Sequence, residues 1–450
     1  MARIVLLALA SLALSACATA APSVPIDQPA QPNAAPMQHA EMEGDVLALS
    51  FSGGGARAAS FSLGALQALR EMRGADGRDL AAHVRLVTSV SGGSIMAAYF
   101  VQHGEAGIDT FRAAYLDKNW AADLHTNPYS PLNWARAAGG ALNNQDRFSD
   151  WLDREVFNGG HMSDLATPER PRLILNTTDL YNGTPFAFTP LYFGALCADL
   201  GSVRIADAVA ASMAFPVAFK PILAQPYPDR CAPQPDWVTH VDRTTPTLVR
   251  RTARAFERYR DPARQKYLHL VDGGVLDNLG LSTLSLSRLT ADTPYGPFTA
   301  REGVRVRRMT FLVINAEKTR SADWPLTARG PTGAQTLDTL LDIQTEEVNQ
   351  ASYDLFRALA ADWQRALRTW RCGLSNDEVL HLRGSLDGWD CNAINIAVDR
   401  VSFHDLPEPT RSQLGTAATV VTLPHDLVDA LIAGGREATL HNPSALAMTH

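Results

Sequence analysis

Three short segments carry residue types that can do chemistry. In the first, Ser89-Val90-Ser91-Gly92-Gly93-Ser94 follows a strand-like run at 83–88 and leads into the apolar run 95–100. A serine among small residues, at a sharp turn from strand to helix, is the setting of a nucleophile elbow. Ser89 stands where the usual G-x-S-x-G pattern has its first glycine, and it is small enough to keep the turn. In the second, Gly53-Gly54-Gly55 follows the apolar run 46–51 and precedes Phe61, Ala65, Leu66, Leu69 and Met72 at helical spacing. Free N–H groups converge at such a helix start and favour negative charge, giving either an anion or oxyanion site or a plain tight turn. No G-x-x-x-x-G-K-[ST] pattern is present, which argues against a nucleotide-phosphate loop. In the third, the strand-like 266–271 ends in Asp272-Gly273-Gly274. A carboxylate there can approach the end of a neighbouring strand, where open α/β sheets collect ligands. The alternative is a common Asp-Gly turn.

In chain order, the glycine loop, then the Ser91 elbow, then Asp272-Gly273-Gly274, the three segments resemble the patatin-like phospholipase family. Residues 173–179 with Gly183, and 211–221 (Ala-Ser-Met-Ala-Phe-Pro-Val-Ala-Phe-Lys-Pro), are also similar to family segments. The resemblance runs from about Val46 towards the C-terminus. It implies a three-layer α/β/α fold with a mainly parallel central sheet, and a lipid acyl hydrolase without cofactor. Ser91 is then the nucleophile, Asp272 the general base, and Gly53, Gly54 and Gly55 the oxyanion donors. Arg57 would sit beside that loop, with Gly92, Gly93, Gly273 and Gly274 in support. The family often has Asp-Gly-Gly-Gly-x-Arg-Gly, whereas this chain has Ser52 first and Ala58 last. Phospholipids or lysophospholipids are the implied substrates. The alternatives are a lipid acyltransferase or general esterase, and a non-enzymatic lipid-binding envelope protein. An intact Ser91 and Asp272 argue against the last.

The chemistry is self-consistent. A serine hydroxyl is a weak nucleophile until a base takes its proton. Aspartate is a poor base at its reference pKa of about 3.9, so a dyad without histidine needs partial desolvation. Histidine offers no clear alternative. His269 is three residues from Asp272, which on a strand points it to the opposite face. His240, His404 and His425 lack a motif context. No His/Cys/Asp cluster has metal-ligand spacing and no C-x-x-C occurs, so no catalytic metal is expected.

The elements that position these residues sit behind an address. Arg3, an apolar run at 4–14 and Leu14-Ser15-Ala16-Cys17 describe a secretory signal ending in a junction that resembles the lipobox of bacterial lipoproteins. The resemblance implies a lipidated Cys17 in the bacterial cell envelope, and Ala18 after it favours the outer membrane. Residues 18–44 are Ala/Pro-rich and read as a tether with a reach of roughly 80 Å if fully polyproline II. The body of the 450-residue chain, residues 45–450, is one domain with a C-terminal helical extension, and nothing in it forces a split. A hydrophobic share of 46% excludes a disordered chain. The net charge of −7 without a basic run makes nucleic acid a poor partner. Protein partners are not specified by any motif.

Cys197, Cys231, Cys372 and Cys391 remain, an even number in an exported chain. Proximity favours Cys197–Cys231 and Cys372–Cys391 among three pairings, with four free thiols as the alternative. Residues 119–144, with Trp120, Tyr129, Leu132 and Trp134, read as a lid or as aromatic anchors under a loop. Residues 237–264 are Arg-rich and could lie over the site. Residues 309–314 and 394–401 predict strands, 336–370 a long amphipathic helix, and 424–434 a helix ended by Gly434-Gly435.

Overall fold

In the computed structural model of the protein, residues 24–31, 37–120, 141–143, 145–319, 324–326, 328 and 330–450 are described. The signal, Cys17 and most of the proposed 119–144 lid lie outside them. The core is an eight-stranded sheet. Its strands are β2 (Gly44–Phe51), β3 (Val84–Val90), β4 (Arg172–Asp179), β5 (Thr184–Phe188), β7 (Ile222–Ala224), β8 (Leu268–Asp272), β9 (Val306–Asn315) and β10 (Asn395–Ser402). Short β1 (Gln28–Pro29) and β6 (Ala198–Asp199) pair separately. The sheet order is β10-β9-β2-β3-β4-β8-β7, with β5 paired to β4.

The half from β10 to β4 is parallel. β8 is antiparallel to both β4 and β7, and β5 is antiparallel to β4. Parallel strands need apolar residues on both faces, which explains the near-continuous buried runs of β2 and β9. The antiparallel edge is what the sequence reading did not contain.

Helices cover both faces in a three-layer α/β/α arrangement. α1 (Gly55–Glu71), α2 (Gly92–His103), α3 (Ile205–Ser212) and α7 (His425–Leu440) pack together. α4 (Thr247–Tyr259), α5 (Ser282–Leu289) and α6 (Gly333–Cys372) form a second group. The long amphipathic helix expected at 336–370 is α6. The Arg-rich stretch supplies α4, which packs on the β4–β5 hairpin: Tyr259 Oη donates to Asp179 Oδ2 at 2.8 Å.

Two expectations need correction. Gly434 and Gly435 do not end a helix, because α7 runs through both to Leu440. Their lack of a side chain permits close packing instead. A Cβ on Gly435 would lie 2.1 Å from the Phe61 carbonyl oxygen, and one on Gly64 would lie 2.0 Å from that of Ile432. The two helices touch backbone to backbone. The tether expected to run to residue 44 is not free where it is described. Ile26 N–H donates to Leu223 O at 3.0 Å, Ala30 N–H to Cys197 O at 2.9 Å, and Asp27 accepts from Gln225 N–H at 2.9 Å. Asp27, Ala40 and Met42 are buried.

The disulfides are Cys197–Cys231 and Cys372–Cys391, each with Cα atoms 4.9 Å apart. Trp120 is buried and stacks on Phe148 at 4.1 Å, as an anchor would.

The α1–α7 contact carries the first prediction. Gly64→Ala should destabilise the fold by about 2 kcal/mol or more through backbone overpacking. The corresponding fall in Tm, several degrees, is read by differential scanning fluorimetry. An unchanged Tm would mean that α7 does not sit against α1 at this distance.

Candidate active site

β3 ends at Val90, and the chain turns at Ser91 with φ 50° and ψ −126° before α2 begins at Gly92. A positive φ is rare for a residue with a Cβ and is a strained conformation that surrounding structure must hold. The turn is tight because Gly92 is a glycine: a Cβ there would lie 2.1 Å from the Gly55 carbonyl oxygen. The starts of α1 and α2 are thereby pressed together beside the Ser91 hydroxyl.

Asp272 arrives from the other direction. β4 pairs its Asn176 with Val90 and continues three residues beyond it to Asp179. β8 descends along that overhang, from Leu270 opposite Asp179 to Asp272 opposite Thr177. The carboxylate thus reaches the level of Ser91 from an antiparallel strand. Ser91 Oγ donates to Asp272 Oδ2 at 2.7 Å, and Gly274 N–H donates to Oδ1 at 2.8 Å. Burial pushes the Asp272 pKa up to about 6, against the lowering effect of those two donors. His269, three residues earlier, is exposed.

A buried relay locks the elbow. Ser212 Oγ donates to the Asn176 carbonyl at 2.7 Å and accepts from Ser91 N–H at 2.9 Å. Its single proton is then committed, so Ser94 must donate to Ser212 (2.9 Å) and Ser89 to Ser94 (3.1 Å). The Asn176 side chain donates to Thr88 Oγ1 at 2.8 Å and to Ser89 O at 2.9 Å, and accepts from Thr283 Oγ1 at 2.7 Å. Two residues beyond Ser212, the Ala214 carbonyl accepts Asp272 N–H at 3.0 Å. One turn after α3 therefore supports both Ser91 and Asp272. Asn176 and Ser212 lie in segments noted for family likeness, but their types alone did not mark them as positioning residues.

The glycine loop narrows the oxyanion donors. Gly53 N–H is already donated to Asn278 O at 3.1 Å, which corrects its expected role as a free donor. Gly53 acts as a spacer: a Cβ there would be 3.1 Å from Ser91 Cβ and 2.1 Å from Asn278 Oδ1. Gly54 and Gly55 have φ of 142° and 60°, and among the described residues their N–H groups have no backbone partner. With Gly92 N–H, they form the remaining donor set at the two helix starts.

Arg57 lies beneath the loop, buried, with its Nη2 3.0 Å from where a Gly54 Cβ would be. It donates to Ala316 O at 2.8 Å and Ala417 O at 2.6 Å. Burial lowers its pKa to about 10, against the raising effect of Asp342 and Glu317. It clamps the loop to the end of β9 and to the C-terminal extension. Ser52, where the family often has Asp, accepts Ala316 N–H at 2.9 Å. Gly93 and Gly273 are close-approach positions. A Cβ on Gly93 would be 2.5 Å from Ser52 O, and one on Gly273 would be 2.5 Å from Asn176 O.

A family model described as "Patatin-like phospholipase" matches residues 49–284. Among solved structures, similarity is found to human GIVD cytosolic phospholipase A2, at 16% identity and TM-score 0.32. That match covers 60% of this chain and 42% of that one, so this chain spans less than half of its length. VipD from Legionella pneumophila matches at 13% identity and TM-score 0.31, over 94% of this chain and 70% of that one. The ExoU–SpcU complex from the type III secretion system of Pseudomonas aeruginosa matches at 14% identity and TM-score 0.21, over 81% and 78%. A search of curated proteins gives no match.

The Asp272 environment makes a thermodynamic prediction. Its folded pKa of about 6 lies above the ordinary 3.8, so the folded state holds the proton more tightly. That stabilisation is complete below the unfolded value and is lost as pH rises through about 6. At neutral pH the buried charge costs on the order of 3 kcal/mol. Asp272→Asn should therefore gain stability relative to wild type between about pH 4 and pH 8, read as the Tm difference at each pH. A difference that stays flat would mean that Asp272 is not desolvated.

Proposed function

The chain belongs to the patatin-like phospholipase family, and within it we propose a membrane-anchored serine acyl hydrolase acting on phospholipid or lysophospholipid esters. The observation that carries this reading is the 2.7 Å hydrogen bond from Ser91 Oγ to Asp272 Oδ2, at a positive-φ elbow beside two helix starts. As substrate binds, Asp272 takes the Ser91 proton and Oγ attacks the acyl carbonyl. The negative charge that develops on the carbonyl oxygen is met by the N–H groups of Gly54, Gly55 and Gly92. Each such donor is typically worth about 10²–10³ in rate. Collapse expels the alcohol, which takes the proton back from Asp272, and leaves an acyl-serine. Water, deprotonated by Asp272, then releases the fatty acid and restores Ser91.

Apolar side chains exposed around the site favour a lipid over a small soluble ester. Phe215, 55% exposed, follows Ala214, and Val275 follows Gly274; both neighbours hydrogen-bond Asp272. Leu180 and Tyr181 stand exposed just past the end of β4, and Val420 is exposed where its carbonyl accepts Ala56 N–H. Uncovered apolar surface at a site mouth is what a lipid interface would contact.

A fluorescent fluorophosphonate should label wild type on Ser91 alone, located by mass spectrometry, and should not label Ser91→Ala. Hydrolysis of a lysophospholipid should fall at least 10³-fold in Asp272→Asn, and wild-type kcat/KM should rise through pH about 6 and level off above it. Labelling elsewhere, or a pH profile without that limb, would overturn the dyad.

The anchor rests on the Leu14-Ser15-Ala16-Cys17 junction. Cys17→Ala should move the protein from the membrane pellet to the soluble fraction of the cell envelope. Retention in the pellet would place the anchor elsewhere.

A further inference from the structure

An apolar chamber lies away from the Ser91 site, at the opposite end of the same sheet. It has a volume of about 170 Å³ and opens between the first residues of β3, β4 and β9 and the helices α5 and α6. Leu86, on its wall, precedes Ser91 by five strand residues, or roughly 16 Å. The wall is almost wholly apolar, with Ile174, Met309, Phe311, Phe356 and Trp363 among its lining, and Met37 and His39 close one side. A cavity of this size compares with engineered apolar cavities of ~150 Å³ that bind small hydrocarbons.

Besides Thr283, Ser287 and Arg288, which are hydrogen-bonded, three polar groups break that wall without a partner among the described residues. His39 Nδ1 and Thr189 Oγ1 are buried without a hydrogen-bond partner. Arg172, half-buried at the start of β4, has no hydrogen-bond or ion-pair partner among the described residues. Burial, and then the charge of Arg172, lower the His39 pKa to about 4, so this ring is neutral and offers a hydrogen bond without a charge. Arg288, which also lines the chamber, is spoken for: it donates to Gly296 O at 2.6 Å. A buried polar group left unpaired is costly, and unpaired groups gathered on one apolar chamber point to a ligand that supplies their partners.

We propose that this chamber binds a free fatty acid, its chain among the apolar residues and its carboxylate on Arg172, His39 and Thr189. One guanidinium with two neutral donors matches the charge and acceptor count of a carboxylate. The site is independent of the catalytic reading, because none of the three groups that hold the carboxylate belongs to the Ser91–Asp272 machinery; of the lining, Thr283 alone is shared, through its bond to Asn176.

The test uses isothermal titration calorimetry with sodium decanoate at neutral pH on the folded, full-length protein. Saturable one-site binding is expected. Arg172→Gln should weaken it at least tenfold, and Ala360→Phe, which fills the chamber, should abolish it. Ala360→Phe could disturb folding; Arg172→Gln, at a half-exposed position, keeps the test decisive. Fluorophosphonate labelling of Ser91 should persist in both variants. Decanol, which has the chain without the charge, should bind at least tenfold more weakly than decanoate. Absence of saturable binding, or equal affinity in wild type and Arg172→Gln, would overturn the proposal. Decanoyl lysophosphatidylcholine binding as tightly as decanoate would overturn the assignment to a free acid. Loss of labelling on Ser91 with binding intact would count against the catalytic reading alone.

Discussion

The structure turns on one hydrogen bond between a hydroxyl and a buried carboxylate. Asp272 is kept out of water so that its carboxylate holds a proton more readily than an exposed one, with burial lifting its pKa to about 6. Burial without any partner would raise the value further. Two donors, Ser91 Oγ and Gly274 N–H, hold it in a range where it can accept a proton and still be ionised. Both features cost stability, since the charged form is desolvated and the Ser91 backbone sits at positive φ. The surrounding fold has to over-determine this arrangement.

It does so with hydrogen bonds of fixed direction. The chain Ser89 to Ser94 to Ser212 to the Asn176 carbonyl uses each hydroxyl proton once, and Ser91 N–H closes on the same Ser212 oxygen. Buried networks of this kind are specific because any missing member strands another. Asn176 ties three elements together: its side chain holds β3 through Thr88 and Ser89, and α5 through Thr283. Glycines do the complementary work where backbones must touch, at Gly92 against Gly55 and at Gly64 and Gly435 between α1 and α7.

The C-terminal extension and the N-terminal strap close the structure from outside the family-matched region. Arg57 reaches across the loop to Ala316 and Ala417, so the extension holds the glycine loop from beneath. The strap around Ile26 and Ala30 is fastened to Leu223 of β7 and to Cys197, itself pinned to Cys231. β7 pairs with β8, the strand that ends in Asp272. Both additions therefore bear on elements that carry the site.

The sequence alone determined the residue types and most of the elements. Small residues around Ser91, three consecutive glycines and an Asp-Gly-Gly strand end are local signals, because turn chemistry is decided by residues next to one another. The runs of β2 and β9 and the long helix α6 were legible for the same reason, through apolar periodicity. Tertiary structure decided the rest. That β8 runs antiparallel and lowers Asp272 beside Ser91 depends on the overhang of β4 past β3, a register that no local pattern encodes. Gly53 N–H proved to be taken by Asn278, more than two hundred residues away, and Gly434-Gly435 proved to be a helix contact rather than a helix end. In each case the deciding partner lies on a distant segment. A residue's type limits which bonds it can make, but only the packed chain decides which partner it meets.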